Sequence, residues 1–301
     1  GYAWARIDPQ FRMDPATGMV DLNMALERGP LVQVRWINIA GNYKTRDYVI
    51  RREMRLMEGE LFNQKKLEDS RKFINSLGFF ESVSVSVEKV GEGQGDINVK
   101  VQEGRAGSLS AGMAYSSVSG LVGTLQLSLG NFFGRGQRLN LSLEAGSETS
   151  DYSLSFTEPR LFSSAYSFGF DLFDRETEYS TYTQSSIGGG LRLGYRLSDV
   201  TSLSARFRRV DYEVYDVSEN ASRYVKDQEG ESTTSSVRFG FGYDTRDFPM
   251  DPREGLNFNL STEVAGGMLG GTNDFIRLIL EGSAYKPIVG DLIGSAHLEV
   301  G

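Results

Sequence analysis

Between Thr124 and Ala145 every second residue is apolar on both sides of a short turn, and no other feature constrains the fold as much. Leu125, Leu127 and Leu129 alternate with Gln126, Ser128 and Gly130. After Asn131-Phe132-Phe133-Gly134-Arg135-Gly136, Leu139, Leu141, Leu143 and Ala145 alternate with Asn140, Ser142 and Glu144. Successive strand side chains point to opposite faces, so this is a β-hairpin with one apolar and one polar face. A second sheet would cover the apolar face in a soluble sandwich. Here the alternation continues to residue 300, and no segment remains to cover it.

That pattern predicts a transmembrane β-barrel, in which half of every strand faces a polar interior. The dilution explains how a chain of 301 residues with 39% hydrophobic residues can still belong in a bilayer. No run approaches the roughly 18 apolar residues of a membrane helix. Glycine is abundant at 35 residues and proline sparse at 7, which implies many turns and close backbone approaches. Cysteine is absent, so disulfides, thiol catalysis and thiolate metal sites are excluded. The net charge of -8 argues against nucleic acid as a partner. No leader opens the chain at Gly1, which for an exported protein implies a terminus cut away upstream.

Residues 1–30 read as the end of a preceding domain, with strands at Ala3–Phe11 and Met19–Glu27 around Asp14-Pro15-Ala16-Thr17-Gly18. An isolated hairpin is marginal in water, so weak support is expected there. From Leu31 to Glu103 the order is strand, helix, helix, strand, strand. Val32–Ile39 is the first strand. Thr45 caps a helix with Ile50, Met54 and Met57 on one side, ending at Gly59. Asn63 caps a second, with Leu67, Ile74 and Leu77 inward and Gly78 after its last turn. Phe80–Val87 and Asp96–Gln102 complete a three-stranded α+β domain.

The Gly41-Asn42 turn, Arg51-Arg52-Glu53-Met54-Arg55 with Met57-Glu58-Gly59, and Leu77-Gly78-Phe79-Phe80-Glu81 resemble a polypeptide-transport-associated (POTRA) domain. The likeness is to the last such domain of the BamA family of outer-membrane barrel-assembly proteins. Residues 1–30 are then the remnant of the preceding POTRA domain, 31–104 the last one, and 105–301 the N-terminal part of the barrel. Eleven strands are expected between 108 and 300, joined by alternately short and long turns, the longest being Asp216–Ser232. The resemblance continues through Asn131-Phe132-Phe133-Gly134-Arg135-Gly136, Thr157-Glu158-Pro159-Arg160 and the barrel motif Asp244, Arg246, Asp247, Pro249 and Gly255. It implies sixteen strands, an inward loop with a Val-Arg-Gly-Phe motif and a closing strand. These are missing, so the chain reads as an internal fragment whose barrel does not close.

Little supports catalysis: there is no P-loop, no Gly-x-Ser-x-Gly elbow and a single histidine, His297, which reads as structural or interior-facing. Asp244, Asp247, Asp251 and Glu254 match no EF-hand spacing, and neither metal nor cofactor is expected. Asn220-Ala221-Ser222 is an uninformative sequon. Arg192, Arg196, Arg206, Arg208 and Arg238 are expected to pair with acids such as Asp171, Glu144 and Asp244; the competing reading is a charged porin lining.

Two regions carry the functional expectation. Arg51, Arg55 and Glu58, at i, i+4 and i+7, would share a helix face, either merely solvated or, as the resemblance implies, docking a periplasmic assembly lipoprotein. Phe80, Val83, Val85 and Val87 lie in an expected edge strand to which an unfolded client strand can add. The first barrel strand, with Leu109, Gly112, Met113 and Tyr115 among small residues, is either a poorly packed terminal strand or a lateral seam that templates clients. The resemblance implies a non-enzymatic factor that folds and inserts β-barrel clients into the outer membrane, with periplasmic chaperones as further partners. Rival readings are a transporter for one secreted partner or for autotransporters, a passive porin, and a structural tether.

Overall fold

The computed structural model describes residues 6–13, 20–27, 29–116, 120–248 and 251–301, in two compact units. The first comprises 1–106 together with the turn 130–136, and the second 107–129 with 137–301. The turn expected at 14–18 and Pro249 lie outside the described residues.

The first unit opens with an antiparallel hairpin, β1 (Arg6–Met13) and β2 (Val20–Glu27), whose only sheet partners are each other. Phe11, Met13, Leu22 and Met24 are exposed along it, the weak support expected of a lone hairpin. Next come β3 (Gln33–Ala40), α1 (Asp47–Arg51), α2 (Gln64–Ser76), β4 (Phe80–Gly91) and β5 (Gln94–Glu103). The sheet order is β3-β5-β4, with β5 parallel to β3 and antiparallel to β4. Val34, Ile37, Ile97, Val99 and Val101 meet Val49, Ile50, Leu67 and Ile74 in one buried cluster. Each such side chain contributes roughly 1.5–3 kcal/mol by leaving water.

Helix α2 forms as its sequence dictates: the Asn63 side chain accepts from the Lys66 N–H at 3.2 Å, and Gly78 follows in the left-handed region at φ 74°. The first helix is shorter than expected, ending at Arg51 rather than near Gly59, and its N-cap is Arg46, not Thr45. Thr45 is engaged elsewhere. It is buried, its N–H donates to Glu103 Oε1 at 2.6 Å and its hydroxyl accepts from Asn131 Nδ2 at 2.8 Å. Beyond Arg52 the chain turns away to pair with β3, so Met54 is buried and Met57 exposed.

The second unit is a single antiparallel sheet of eleven strands in sequence order, as the alternation predicts. They are β6 (Gly107–Ser116), β7 (Gly120–Phe132), β8 (Gln137–Gly146), β9 (Thr149–Glu158), β10 (Tyr166–Tyr179) and β11 (Tyr182–Arg196). There follow β12 (Thr201–Tyr215), β13 (Gly230–Asp244), β14 (Gly255–Ala265), β15 (Phe275–Val289) and β16 (Leu292–Val300). Among the described residues the sheet is not closed: β6 and β16 each have one neighbour.

Register makes the two faces continuous. From β8 to β15, Leu139, Phe156, Phe170, Leu191, Phe207, Val237, Val264 and Ile276 stand directly opposite one another. One residue along, the row reads Arg138, Thr157, Gly169, Arg192, Arg206, Arg238, Glu263 and Arg277. A slip of one residue toward this row would put an arginine in the apolar row in β8, β11, β12, β13 or β15 and a glutamate in β14, so the pattern fixes the register. Aromatic pairs staple the apolar face, with Phe156 on Phe170 at 5.5 Å and Tyr166 on Tyr195 at 4.6 Å between centroids.

On the polar face Asp171 serves both Arg192 at 3.0 Å and Arg206 at 3.1 Å, as expected. Arg238 pairs at 2.6 Å with Glu263, its direct cross-strand neighbour and an acid not named among the expected partners. Asp244 is taken by Arg246. His297 Nδ1 lies 2.9 Å from the Ser283 hydroxyl across the β15–β16 pair, a structural contact.

Candidate strand-addition edges and docking face

A sheet edge can accept a foreign strand only where its outward N–H and C=O groups are unpaired. In the first unit the two edges differ. Along β3 the segment 59–62 occupies the outer side: Gly59 N–H donates to Val34 O at 2.8 Å, Val34 N–H to Glu60 O at 2.9 Å and Phe62 N–H to Val32 O at 2.8 Å. Further along, Ile37 N–H donates to Glu58 Oε1 at 3.0 Å, and Ile37 O accepts from Arg51 Nη2 at 3.1 Å. By contrast, among the described residues β4 pairs with β5 alone. Phe80 is buried, and Val83, Val85 and Val87 pack partly buried against the core. What β4 presents outward is its backbone.

The cluster expected on one helix face is divided. Arg51 Nε bonds Asp47 Oδ1 at 3.0 Å and Arg51 Nη1 bonds Glu58 Oε1 at 3.3 Å, so these two do come together. Arg55 lies past the helix end, and its guanidinium stacks over the Phe73 ring of α2 at 4.1 Å while its N–H donates to Ser70 Oγ at 2.8 Å. The i, i+4, i+7 face fails because α1 has already ended.

Two further ionic groups order this unit. Arg35 Nε and Nη2 donate to the two Asp96 oxygens at 2.8 and 2.6 Å, and those hydrogen bonds hold the Asp96 carboxyl below the usual carboxylate range. Burial pushes Glu103 up, but the Thr45 hydroxyl and the N–H groups of Thr45 and Lys44 outweigh it, leaving the carboxyl below its ordinary value. Asn131, which donates to Thr45, also accepts from the Gly136 N–H at 2.7 Å. Gly134 is left-handed at φ 70°, and a Cβ there would collide with the Lys44 carbonyl.

In the second unit β6 pairs with β7 alone. Leu109, Met113 and Tyr115 are 69%, 78% and 79% exposed, and Gly112 faces Thr124 with no side chain of its own. The barrel motif is a rigid corner after β13. Arg246 grips both Asp244 oxygens at 2.9 and 2.7 Å, and Asp247 Oδ1 accepts from the Arg253 and Glu254 N–H groups at 3.0 and 3.3 Å. Those backbone donors, Arg253 first, hold Asp247 below its usual range. Gly255, at φ 112°, lies against the Thr245 carbonyl where a Cβ would collide. These acids are therefore engaged in turn geometry, and no group able to hold a metal occurs among the described residues.

Family models match almost the whole of this architecture. The Omp85 superfamily domain matches residues 131–301, and the POTRA model, described as a surface antigen variable number repeat, matches 32–104. The chain belongs to the Omp85 superfamily. Outer membrane protein assembly factor BamA of Nitratidesulfovibrio vulgaris is 30% identical over 310 positions, covering 100% of this chain and 39% of its own length. BamA of Neorickettsia risticii is 32% identical over 92% of this chain and 38% of its own. The Omp85 chain described here thus spans about two fifths of the length of these relatives. Among solved structures, BamA from Haemophilus ducreyi lacking POTRA domains 1–3 superposes with a TM-score of 0.72 at 25% identity, over 97% of this chain and 58% of that one. CdiB from Acinetobacter baumannii shares the fold, with a TM-score of 0.57 at 16% identity over 99% of this chain and 56% of its own. Superfamily membership and the two-faced sheet place the barrel part in the outer membrane and the POTRA part in the periplasm.

Periodicity alone did not reveal the roles of Ser70, Glu103 and Thr45 in this Omp85 chain. Their partners lie 15, 58 and 86 residues away, beyond the reach of a local pattern. A small polar residue on the apolar side of α2, between Leu67 and Ile74, was the available signal for Ser70.

Proposed function

We propose that this chain is the last POTRA domain, 31–104, preceded by a remnant of another, and the first strands, 105–301, of a factor that folds and inserts β-barrel proteins into the outer membrane. The observation that carries the reading is the thin cross-strand packing of β6, the first strand of a sheet with one continuous apolar and one polar face, which among the described residues meets β7 alone. A client strand adds to that edge by backbone hydrogen bonds, which read alternation rather than sequence. Leu109, Gly112, Met113 and Tyr115 make a seam with little cross-strand packing to displace. In the periplasm the free edge of β4, backed by Phe80, Val83, Val85 and Val87, holds client segments before insertion. Arg51 and Glu58 form an exposed charged surface for a periplasmic assembly lipoprotein, to which Arg55 adds a charge from its place over α2, and chaperones deliver clients. The corner of Asp244, Arg246, Asp247 and Gly255 fixes the turn between β13 and β14. The work is done by binding energy, with no nucleotide and no bond-breaking step.

Photo-cross-linkers at Met113, in β6, and Ser84, in β4, test this in the full-length protein. Stalled outer-membrane barrel clients should be captured at both, with Ser84 adducts preceding Met113 adducts. Capture of one dedicated secreted partner and of no barrel client would instead support the secretion reading.

A further inference from the structure

We infer that Arg51 and Glu58 act as an edge guard that closes β3 to incoming strands, so that the POTRA sheet accepts clients at β4 only. The inference rests on the strand-addition reading and goes beyond it by giving the two residues a second task. A three-stranded sheet has two edges, and an unguarded edge invites unwanted pairing. Strand β3 carries three separate protections. Segment 59–62 pairs with its first half. A bulge between Val34 and Ile37 breaks the regular ladder. At Ile37, where that pairing has stopped, Glu58 accepts from the N–H and Arg51 donates to the carbonyl, so two side chains supply the donor and acceptor of a neighbouring strand. The 3.3 Å ion pair between them and the Asp47 bond to Arg51 hold the guard in place. Strand β4 is bulged too, between Phe80 and Ser82 and between Lys89 and Gly91, but among the described residues no segment pairs with its outer edge.

A pure docking surface would need only the charges of Arg51 and Glu58. A guard needs the hydrogen-bonding atoms, and the two demands separate at Glu58. Glu58→Gln removes the charge but keeps an acceptor for the Ile37 N–H, whereas Glu58→Ala removes both. The test is made on the full-length protein in detergent micelles. Amide hydrogen exchange is followed at Ile37, and a ten-residue synthetic peptide of alternating valine and serine is offered to cross-linkers at Asn38 (β3) or Ser84 (β4). The guard predicts that Glu58→Ala speeds exchange at Ile37 about tenfold, the scale of losing one net hydrogen bond. It also predicts that Asn38 adducts rise from background to a level comparable with Ser84. Glu58→Gln should match wild type in both. Unchanged exchange and an unlabelled Asn38 in Glu58→Ala would overturn the guard, as would equal effects of Gln and Ala. Absence of peptide at Ser84 in wild type would overturn the β4 reading, leaving exchange at Ile37 to decide the guard. If Glu58→Ala also loses protection at the buried Ile97, the fold has been lost. Arg51→Ala then replaces it in the peptide arm, where an unlabelled Asn38 would again overturn the proposal.

Discussion

Replacing Phe207 by arginine asks whether the apolar row faces lipid. Phe207 is the seventh of fifteen residues in β12, close to mid-strand, and stands between Leu191 and Val237 in a row uninterrupted over eight strands. It is 40% exposed. If that exposure is to water, an arginine should change stability by no more than about 0.5 kcal/mol, the usual range for a surface substitution. If it is to the hydrocarbon core, the charge near the bilayer midplane costs about 2–4 kcal/mol, falling to about 0–1 near the interface. The depth dependence is the sharper signature. Tyr243, next to last in β13, lies near the strand end, so Tyr243→Arg belongs to the lower range. The assay is reversible urea unfolding of the full-length protein in thin-bilayer vesicles, read by the far-ultraviolet circular dichroism of the sheet. Equal costs at Phe207 and Tyr243, or a cost below about 0.5 kcal/mol at both, would refute a lipid-facing row.

Gly134→Ala should destabilise the first unit by at least about 1 kcal/mol, since the substituent meets the Lys44 carbonyl in a left-handed conformation; the shift in urea midpoint of the Trp36 signal checks it. Asn63→Ala removes the α2 cap and should cost about 1 kcal/mol in the same assay. Asp96 and Glu103 both have folded values below their ordinary ones. Their stabilisation is therefore complete above the unfolded carboxylate values, about 4, and is lost as pH falls through the folded ones. Urea midpoints should drop between about pH 5 and pH 3, and Glu103→Gln should make that drop shallower; a drop unaltered by the substitution would contradict the assignment.

The strands were legible because a sheet exposed to lipid on one side and water on the other must alternate, and alternation is written residue by residue. Helix α2 was legible through Asn63 and Gly78, whose capping roles are local. Helix α1 was misjudged because Thr45, a good cap by type, had been recruited by Glu103 and Asn131 from distant parts of the chain. The supposed Arg51–Arg55–Glu58 face inherited that error, and the bond from Ile37 to Glu58 depends on a turn no periodicity announces. Glu263, the partner of Arg238, was not among the acids foreseen because it is fixed by register, not by sequence proximity. The edge position of β4 was readable through the POTRA resemblance and that of β6 because it opens the meander, while the protection of β3 emerged only from side-chain geometry.

The most direct test of the central claim is the rate at which an unfolded outer-membrane barrel becomes protease-resistant in liposomes containing the full-length protein, compared with empty liposomes. Assembly through the β6 edge predicts clear acceleration, abolished when a disulfide ties Leu109 to the closing strand of the full-length barrel and restored by reduction. A client that folds at the empty-liposome rate, while the same vesicles conduct ions steadily, would contradict the assembly account and leave a passive pore in its place.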